Sequence, residues 1–345
     1  MARAQTGRFF EDYAPGQVIR HAVPRTVGAG ERALYHALYP ARGALHSADS
    51  FAQSCGLAAS PLDDLLVFHT VFGKTVPDVS LNAVANLGYA EGRWRRPVWP
   101  GDTLRAESEV MGVKENSNGT TGVVWVRTRG LNQHDAVVLE YVRWVMVRKR
   151  DPDSPAPDPV MPELAAAVAP EALEVPEGLD LTGYDFDLAG EPHRWSDYEV
   201  GAVIDHVDGV TVEEAEHMMA TRLWQNTARV HFDTTHREDG KRLIYGGHVI
   251  SMARALSFNG LANAQMIVAL NGGAHANPCF AGDTIKAWSE VLDRADTPAP
   301  GVGALRLRLV AETGEHMTPG ELRDEEGRYL PHVLLVLDIW VLMPQ

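Results

Sequence analysis

Apolar residues recur along the chain with two periods, and each period predicts one kind of secondary structure. Between residues 246 and 261 they recur every three to four positions, which predicts an apolar helix. Over 305–309 they alternate with charged residues, which predicts a half-buried strand. By the same reasoning we expect shorter helices over 31–39 and 212–224, and strands over 104–108, 123–128, 137–147 and 333–343, with a hairpin turn at 130–135.

The two halves of the chain carry the same sequence pattern. Asp12-Tyr13 returns as Asp197-Tyr198 at an offset of 185 (197 − 12), and Gly101-Asp102 returns as Gly282-Asp283 at an offset of 181 (282 − 101). Ordered matches at a nearly constant offset indicate an internal duplication. Each copy reads as a central helix followed by several antiparallel strands, which predicts an α+β fold with a sheet curled around each helix.

The duplication also suggests the domain boundaries. We expect one repeat over residues 1–150 and the second over residues 193–345. The stretch between them, 151–192, is rich in proline and alanine, which is typical of a linker that crosses the protein surface. We expect at most one short helix within it.

Composition limits the classes of function. A net charge of −15, without any basic tail or stripe, argues against a nucleic-acid or anionic-membrane partner. The two cysteines, Cys55 and Cys279, suit a reducing compartment and small apolar packing roles. The first ten residues lack the apolar run of a signal peptide, and no segment reaches transmembrane length. We therefore expect a cytoplasmic protein. The sequence is compatible with a homodimer.

The stretch from Trp224 to Phe258 carries the candidate chemistry. Asn226 and His231 stand five residues apart in a predicted loop, and Gly246-Gly247 follow about fifteen residues later, just before the apolar helix. A polar pair of this kind can hold and deprotonate a water molecule. Glycines at a helix start let bare backbone N–H groups face a carbonyl oxygen that becomes an oxyanion. The pattern favours addition of water to a carbonyl-activated double bond.

Each of these residues also has a structural interpretation. His231 could bind a backbone group, Asn226 could be a cap or turn residue, and Gly247 could be needed only for its backbone conformation. Asp233 could orient the histidine, although a turn or N-cap role suits it better. A zinc site at His231–His236 matches no known ligand spacing, so we predict no metal.

The repeat, the strand start at 100–104 and the loop histidine before a glycine turn resemble the MaoC-like (R)-specific enoyl-CoA hydratases, which have a double hotdog fold. Segments 65–77, 82–89 and 224–231 carry a closer likeness to one member of that family, and the likeness covers nearly the whole chain. The resemblance implies a reversible syn hydration of mesaconyl-C1-CoA to β-methylmalyl-CoA, an acyl-CoA substrate, and no metal or redox cofactor.

The resemblance also assigns the site residues. An aspartate stands five residues before the histidine in that family, whereas this chain has Asn226, whose amide cannot accept a proton at neutral pH. His231 is then the proton carrier of the motif, and Gly247 or its neighbour Gly246 supplies the oxyanion contact. The residues that flank the turn, Tyr245 and His248, are assigned with Gly246 to substrate binding.

The implied substrate has a free carboxylate, for which arginine is the best partner. Arg229 and Arg42 are our candidates, although such a residue is more often part of a surface salt bridge. His46 is the repeat partner of His231. In the first repeat, however, Ala41 stands at the position of Asn226, and Leu65-Leu66 stand at the position of the glycine pair. We therefore expect one catalytic site, in the second repeat, with the first repeat shaping the substrate tunnel.

Two other functions remain open from the sequence. A CoA thioesterase on the same fold would attack the thioester carbon instead of the double bond. A non-catalytic acyl-CoA-binding module is the other alternative, and Asn226 is the residue that supports it. No phosphate-binding loop, dinucleotide fingerprint or Gly-x-Ser-x-Gly motif is present, which weakens the nucleoside triphosphatase, dehydrogenase and serine hydrolase interpretations.

Overall fold

The computed structural model describes residues 6–314 and 319–345; residues 1–5 of the predicted first repeat and 315–318 of the second lie outside these ranges. The helices are α1 (Ala29–Leu38), α2 (Ala44–Ser47), α3 (Asp49–Ser54), α4 (Asp64–Thr75), α5 (Phe186–Ala189), α6 (Glu214–Leu223), α7 (Arg229–Phe232), α8 (Gly246–Leu256) and α9 (Phe258–Leu261). The strands are β1 (Val18–Arg20), β2 (Arg25–Thr26), β3 (Ala83–Trp94), β4 (Thr103–Glu115), β5 (Thr121–Leu131), β6 (Val137–Arg148), β7 (Val203–Thr211), β8 (Met266–His275), β9 (Thr284–Asp296), β10 (Val302–Thr313) and β11 (Val333–Pro344).

A single antiparallel sheet runs through both repeats. Its strands lie in the order β1-β4-β5-β6-β3-β8-β11-β10-β9-β7, and β2 pairs with β4. The order in the second half mirrors the order in the first, as expected when two copies of one unit meet edge to edge. The junction is the pairing of β3 with β8, where Tyr89 lies opposite Gly273 and Arg93 lies opposite Ala269.

Two helices, α4 and α8, form the centre of the fold. Every residue of α4 is buried, and most residues of α8 are buried as well. A helix that is covered on all sides belongs in the core, which explains its nearly continuous apolar sequence. The start of α4 and the end of α8 line the same cavity, whereas His69 in the middle of α4 lies against Gly247 at the start of α8. The two helices therefore run antiparallel.

Most of the elements expected from the sequence are confirmed. The predicted helices over 31–39 and 212–224 correspond to α1 and α6, and the predicted strands correspond to β4, β5, β6, β10 and β11. The apolar helix is shorter than expected, because it ends at Leu256. Asn259 leaves the helical conformation and Gly260 takes a φ of 88°, so the apolar positions up to Leu261 belong to a separate turn, α9.

The segment over 151–192 differs from a simple surface linker. It contains α5 and a 3-10 turn at Pro170–Ala172, and it places Val168, Leu181 and Tyr184 in a cluster with Trp340. Its apolar residues were too sparse to predict this packing, because they have no helical or strand period. Within the described ranges, no helix is long and apolar enough to cross a membrane.

Two helical glycines provide a test of this packing. The loop at Trp224–Asn226 crosses α4 at Gly73, where an added Cβ would clash with the Trp224 carbonyl oxygen, whereas a Cβ at Gly30 of α1 meets nothing within 4 Å. We expect Gly73→Ala to lower the free energy of unfolding by about 1–3 kcal/mol through overpacking. Gly30→Ala should raise it by up to about 1 kcal/mol, because alanine is the better helix former. Urea unfolding of both variants measures the difference, and equal effects would contradict the packing.

Candidate active site

His231 lies on the single-turn helix α7 and is half-buried. Its Nδ1 is 2.7 Å from the carbonyl oxygen of Leu243. A carbonyl oxygen can only accept a hydrogen bond, so Nδ1 must carry the proton and Nε2 must present a lone pair. The backbone contact that the structural interpretation predicted is thus present, and it fixes the tautomer that a general base requires.

The surroundings keep His231 neutral. Burial disfavours the imidazolium and lowers its pKa to about 4, although the hydrogen bond to Leu243 acts in the opposite direction. At neutral pH the ring is therefore present almost entirely as the base. Its ring centroid is 5.5 Å from that of Tyr245, the residue that precedes α8, so the imidazole lies beside the start of this helix.

The start of α8 presents unpaired backbone donors. Gly246 and Gly247 are its first two residues, and neither N–H has a hydrogen-bond partner among the described groups. A helix N-terminus also carries the positive end of the helix dipole. This end of α8 can therefore stabilise a negatively charged oxygen.

Both glycines are required by close packing. The ring of His275 occupies the space that a Cβ of Gly246 would need, and the rings of His69 and Tyr245 occupy the space next to Gly247. Neither glycine has a φ in the left-handed region. The interpretation that Gly247 serves only for its backbone conformation is therefore wrong, because close contact with aromatic rings is the reason at both positions.

Two further histidines hold the start of α8 in place. The N–H of Tyr245 donates to Nε2 of His217 at 2.9 Å, and Nδ1 of His248 is 2.6 Å from the hydroxyl of Tyr39. Tyr39 in turn stacks on Trp224, at the beginning of the loop that leads to His231. His248, which we assigned to substrate binding, is completely buried and faces Tyr39, so the structure places it behind the helix start.

Asn226 is buried, and its side-chain oxygen accepts the N–H of Ala228 at 3.0 Å. This is the turn interaction that the structural interpretation predicted. The amide nitrogen makes no hydrogen bond with any described group. It therefore remains available to a water molecule or a substrate, and a role in orienting water remains a prediction.

Of the two predicted arginines, the structure separates only Arg42 from this site. Arg229 is exposed at the first position of α7. Arg42 is also exposed and lies over the ring of Phe258, at the rim of a cavity that Asp64 and Arg254 line. This cavity belongs to the far end of the α4–α8 pair, so the structure does not bring Arg42 to Gly247.

The first repeat has a different helix start. The side chain of Asp63 accepts the N–H of Leu65 at 2.9 Å, so a carboxylate occupies the position of the oxyanion contact. His46 lies 3.4 Å from Asp64, whose carboxylate raises the pKa of the imidazole although burial alone would lower it. A capped helix start and an ion-paired histidine offer neither the open N–H groups nor the free imidazole lone pair that the second repeat presents.

A Ser–His–Asp arrangement also occurs, but it is structural. His21 bonds Asp78 through Nδ1 and Ser108 through Nε2, both at 2.8 Å. Ser108 lies within β4, and its hydroxyl is also 2.8 Å from that of Thr128 on β5, so it is engaged between two structural partners. In the second repeat His206 makes the equivalent bond to Ser289 without any acid, which indicates that the motif links strands.

The sequence did not identify three residues of this site. His69, His217 and His275 come from α4, α6 and the end of β8, and they meet only because the helices pack and β3 pairs with β8. Histidines within apolar segments were a weak signal. Without the register of the sheet, they could not be assigned to one place.

The architecture is that of a double hotdog protein. A conserved hypothetical protein from Mycobacterium tuberculosis, whose structure has a double hotdog fold, matches this chain with a TM-score of 0.76 and 24% identity, and the match covers 99% of each chain. The expected α+β double hotdog fold is confirmed.

The sequence has relatives of similar length. A family model described as mesaconyl-CoA hydratase matches residues 1–319. A mesaconyl-CoA hydratase from Cereibacter sphaeroides is 73% identical over 344 residues, which cover 99% of this chain and 100% of that protein. A β-methylmalyl-CoA dehydratase from Chloroflexus aurantiacus is 57% identical over 348 residues, which cover 100% of this chain and 99% of that protein. The chain belongs to the mesaconyl-CoA hydratase family.

The buried histidines predict a stability that depends on pH. Burial lowers the pKa of His217 to about 3 and that of His248 to about 4, and unfolding returns both to about 6.5. Each group therefore takes up a proton on unfolding between its two pKa values, so its contribution is complete above pH 6.5 and is lost as the pH falls. We expect the free energy of unfolding to fall by about 1.4 kcal/mol per pH unit for each such histidine below pH 6.5.

Urea unfolding between pH 7 and pH 5 measures this slope. His248→Gln should reduce the slope by about one proton. His236→Gln, at an exposed position, is the matched control and should leave the slope unchanged. A stability that does not change between pH 6.5 and pH 5 would contradict the assignment of neutral buried histidines.

Proposed function

We propose that this chain is a hydro-lyase that adds water reversibly to mesaconyl-CoA to give β-methylmalyl-CoA. Membership of the mesaconyl-CoA hydratase family and the names of its relatives support this activity. The observation that carries the proposal is the bare Nε2 of a neutral His231 beside the unpaired N–H groups that begin α8. A reducing, cytoplasmic compartment is part of the proposal, since both cysteines are free thiols.

The reaction needs one proton carrier and one oxyanion contact. Nε2 of His231 removes a proton from water as the water oxygen bonds to C3, the carbon that bears the free carboxylate. The π electrons of the C2–C3 double bond move towards the thioester, whose carbonyl oxygen becomes an enolate oxygen. The N–H groups of Gly246 and Gly247 stabilise that oxygen. The imidazolium then returns the proton to C2, which completes the addition.

The neutral state of His231 suits the first step of this cycle. In the free protein the imidazole is neutral and ready to accept a proton. When the enolate forms, its negative charge favours the imidazolium, so the proton can transfer at that stage. The protonated ring is then a strong acid beside C2. Because one ring gives and takes the proton, hydrogen and hydroxyl arrive on the same face of the double bond.

Thioester hydrolysis is the second candidate reaction on this fold. A water molecule activated by His231 could attack C1, and the enolate-stabilising N–H groups would then hold a tetrahedral oxyanion. Release of free CoA thiol distinguishes hydrolysis from hydration, which keeps the thioester intact. Ser108 offers no route to hydrolysis, because its hydroxyl is held by His21 and Thr128 and not by a group at the start of α8.

His231→Gln tests the proton carrier. Glutamine can retain polar contacts but cannot accept a proton, so we expect the rate of hydration to fall by about 10²–10⁴-fold with little change in stability. Loss of the conjugated enoyl-thioester absorbance of mesaconyl-CoA measures the rate. The matched control is His236→Gln, which replaces an exposed histidine five residues later and should retain full activity. Full turnover by His231→Gln would exclude the proposed role.

A further inference from the structure

Arg143, at the middle of β6, is a completely buried arginine without an acidic partner. Its Nη2 donates to the hydroxyl of Thr75 at 2.7 Å, and its guanidinium lies 4.2 Å from the centroid of the Phe72 ring. Nε and Nη1 have no hydrogen-bond partner. Within residues 6–314 and 319–345, no carboxylate forms an ion pair with it.

Such an arrangement is costly for the unliganded protein. A buried charge is normally paired, because its removal from water costs several kcal/mol. One hydroxyl and one aromatic face compensate only part of that cost. The two unpaired nitrogens of Arg143, Nε and Nη1, therefore indicate a position that is completed by an anion.

Other unpaired polar groups lie on the same face of the sheet as this guanidinium. Among the described residues, neither amide atom of Asn86 nor the hydroxyl of Tyr141 has a hydrogen-bond partner within 3.5 Å. Tyr89 lies opposite Arg143 in the pairing of β3 with β6, and Asn86 lies opposite Val145. Side chains two positions apart on a strand share a face, so these polar groups line one side of the sheet, towards α4.

This polar cluster touches the candidate active site. The hydroxyl of Tyr89 is 3.1 Å from Nε2 of His275, and the ring of His275 packs directly on Gly246. The ring of Phe72, beneath the guanidinium, is 5.7 Å from that of Tyr245. Arg143 is therefore separated from the start of α8 by one layer of aromatic side chains.

We propose that Arg143 binds the free carboxylate of the acyl group, with Asn86 and Tyr141 as additional donors. The inference rests on the proposed function, because that substrate carries its carboxylate on C3, one of the two carbons of the reacting double bond. A compact carboxylate can accept hydrogen bonds from several converging N–H and O–H groups. Because this carboxylate is bonded to C3, it lies close to the thioester oxygen that Gly246 contacts in the proposed reaction.

Burial makes Arg143 a better carboxylate receptor than the arginines that the sequence suggested. Arg229 and Arg42 are both exposed, where water and salt weaken a charge pair. A buried guanidinium acts at a lower effective dielectric constant and is already held by Thr75 and Phe72. It would also disfavour acyl groups without a carboxylate, because their binding leaves the charge unpaired.

Two unreactive thioesters test the inference by binding alone. Succinyl-CoA ends in a carboxylate, whereas butyryl-CoA of similar length ends in a methyl group. We expect the wild-type protein to bind succinyl-CoA about 10–100-fold more tightly than butyryl-CoA, as measured by calorimetry. Arg143→Met should abolish that preference while retaining affinity for butyryl-CoA. Arg148→Met, at the exposed end of the same strand, is the matched control and should retain the preference.

A second variant keeps the inference testable if Arg143→Met does not fold. Tyr141→Phe removes one oxygen atom and should reduce the preference several-fold in a protein with the wild-type melting temperature. The inference is overturned if Arg143→Met or, should that variant not fold, Tyr141→Phe keeps the full preference for succinyl-CoA. It is also overturned if Arg143→Met weakens both thioesters equally, because the arginine would then bind the CoA portion.

The same experiment separates this inference from the proposed function. A wild-type protein that prefers succinyl-CoA through Arg143 but does not hydrate mesaconyl-CoA would refute the hydratase and leave the carboxylate receptor in place. A wild-type protein that hydrates mesaconyl-CoA, and whose Arg143→Met variant keeps the binding preference, would refute only the receptor.

Discussion

The antiparallel contact between α4 and α8 is the constraint on which the rest of the structure depends. The Tyr35 hydroxyl donates to Ser251 of α8 at 3.1 Å, and Nε2 of His69 in α4 lies 3.1 Å from the same hydroxyl oxygen. The His69 ring also lies against Gly247. The first repeat therefore holds in place the helix start at which we propose that the reaction occurs. A residue larger than glycine at 247 would push the two helices apart.

This dependence explains why duplication and asymmetry coexist. The two repeats share a helix, a sheet and an edge-to-edge junction, and these shared features create two helix starts. Asp63 caps one start, while glycines leave the other open. The first repeat contributes the surrounding side chains: β3 and β6 carry the polar cluster around Arg143, and Tyr39 stacks on Trp224 of the second repeat, at the start of the loop before His231. One repeat supplies the reacting groups, and its partner supplies the surface around them.

The sequence predicted features that depend on residues close together in the chain. It could not predict contacts that depend on how the strands pair. His231 and Gly247 were identifiable because a short motif and a helix start lie close together in the chain. Arg143 was not, although a charge inside the apolar run 137–147 was a signal; only the pairing of β6 with β3 shows that it faces Tyr89 and α4. The end of α8 was missed because Gly260 interrupts the backbone while the apolar period continues. Periodicity indicates which face is buried but not what lies against it.

The central claim is that a single imidazole carries the proton to and from the substrate at the open helix start. Hydration of mesaconyl-CoA in D₂O by the wild-type protein tests this claim most directly, with the relative configuration at C2 and C3 of the product determined by NMR. The account predicts that the deuteron at C2 and the hydroxyl at C3 are added to the same face of the double bond. Addition to opposite faces would contradict it, because one ring on one side of the substrate could not deliver both.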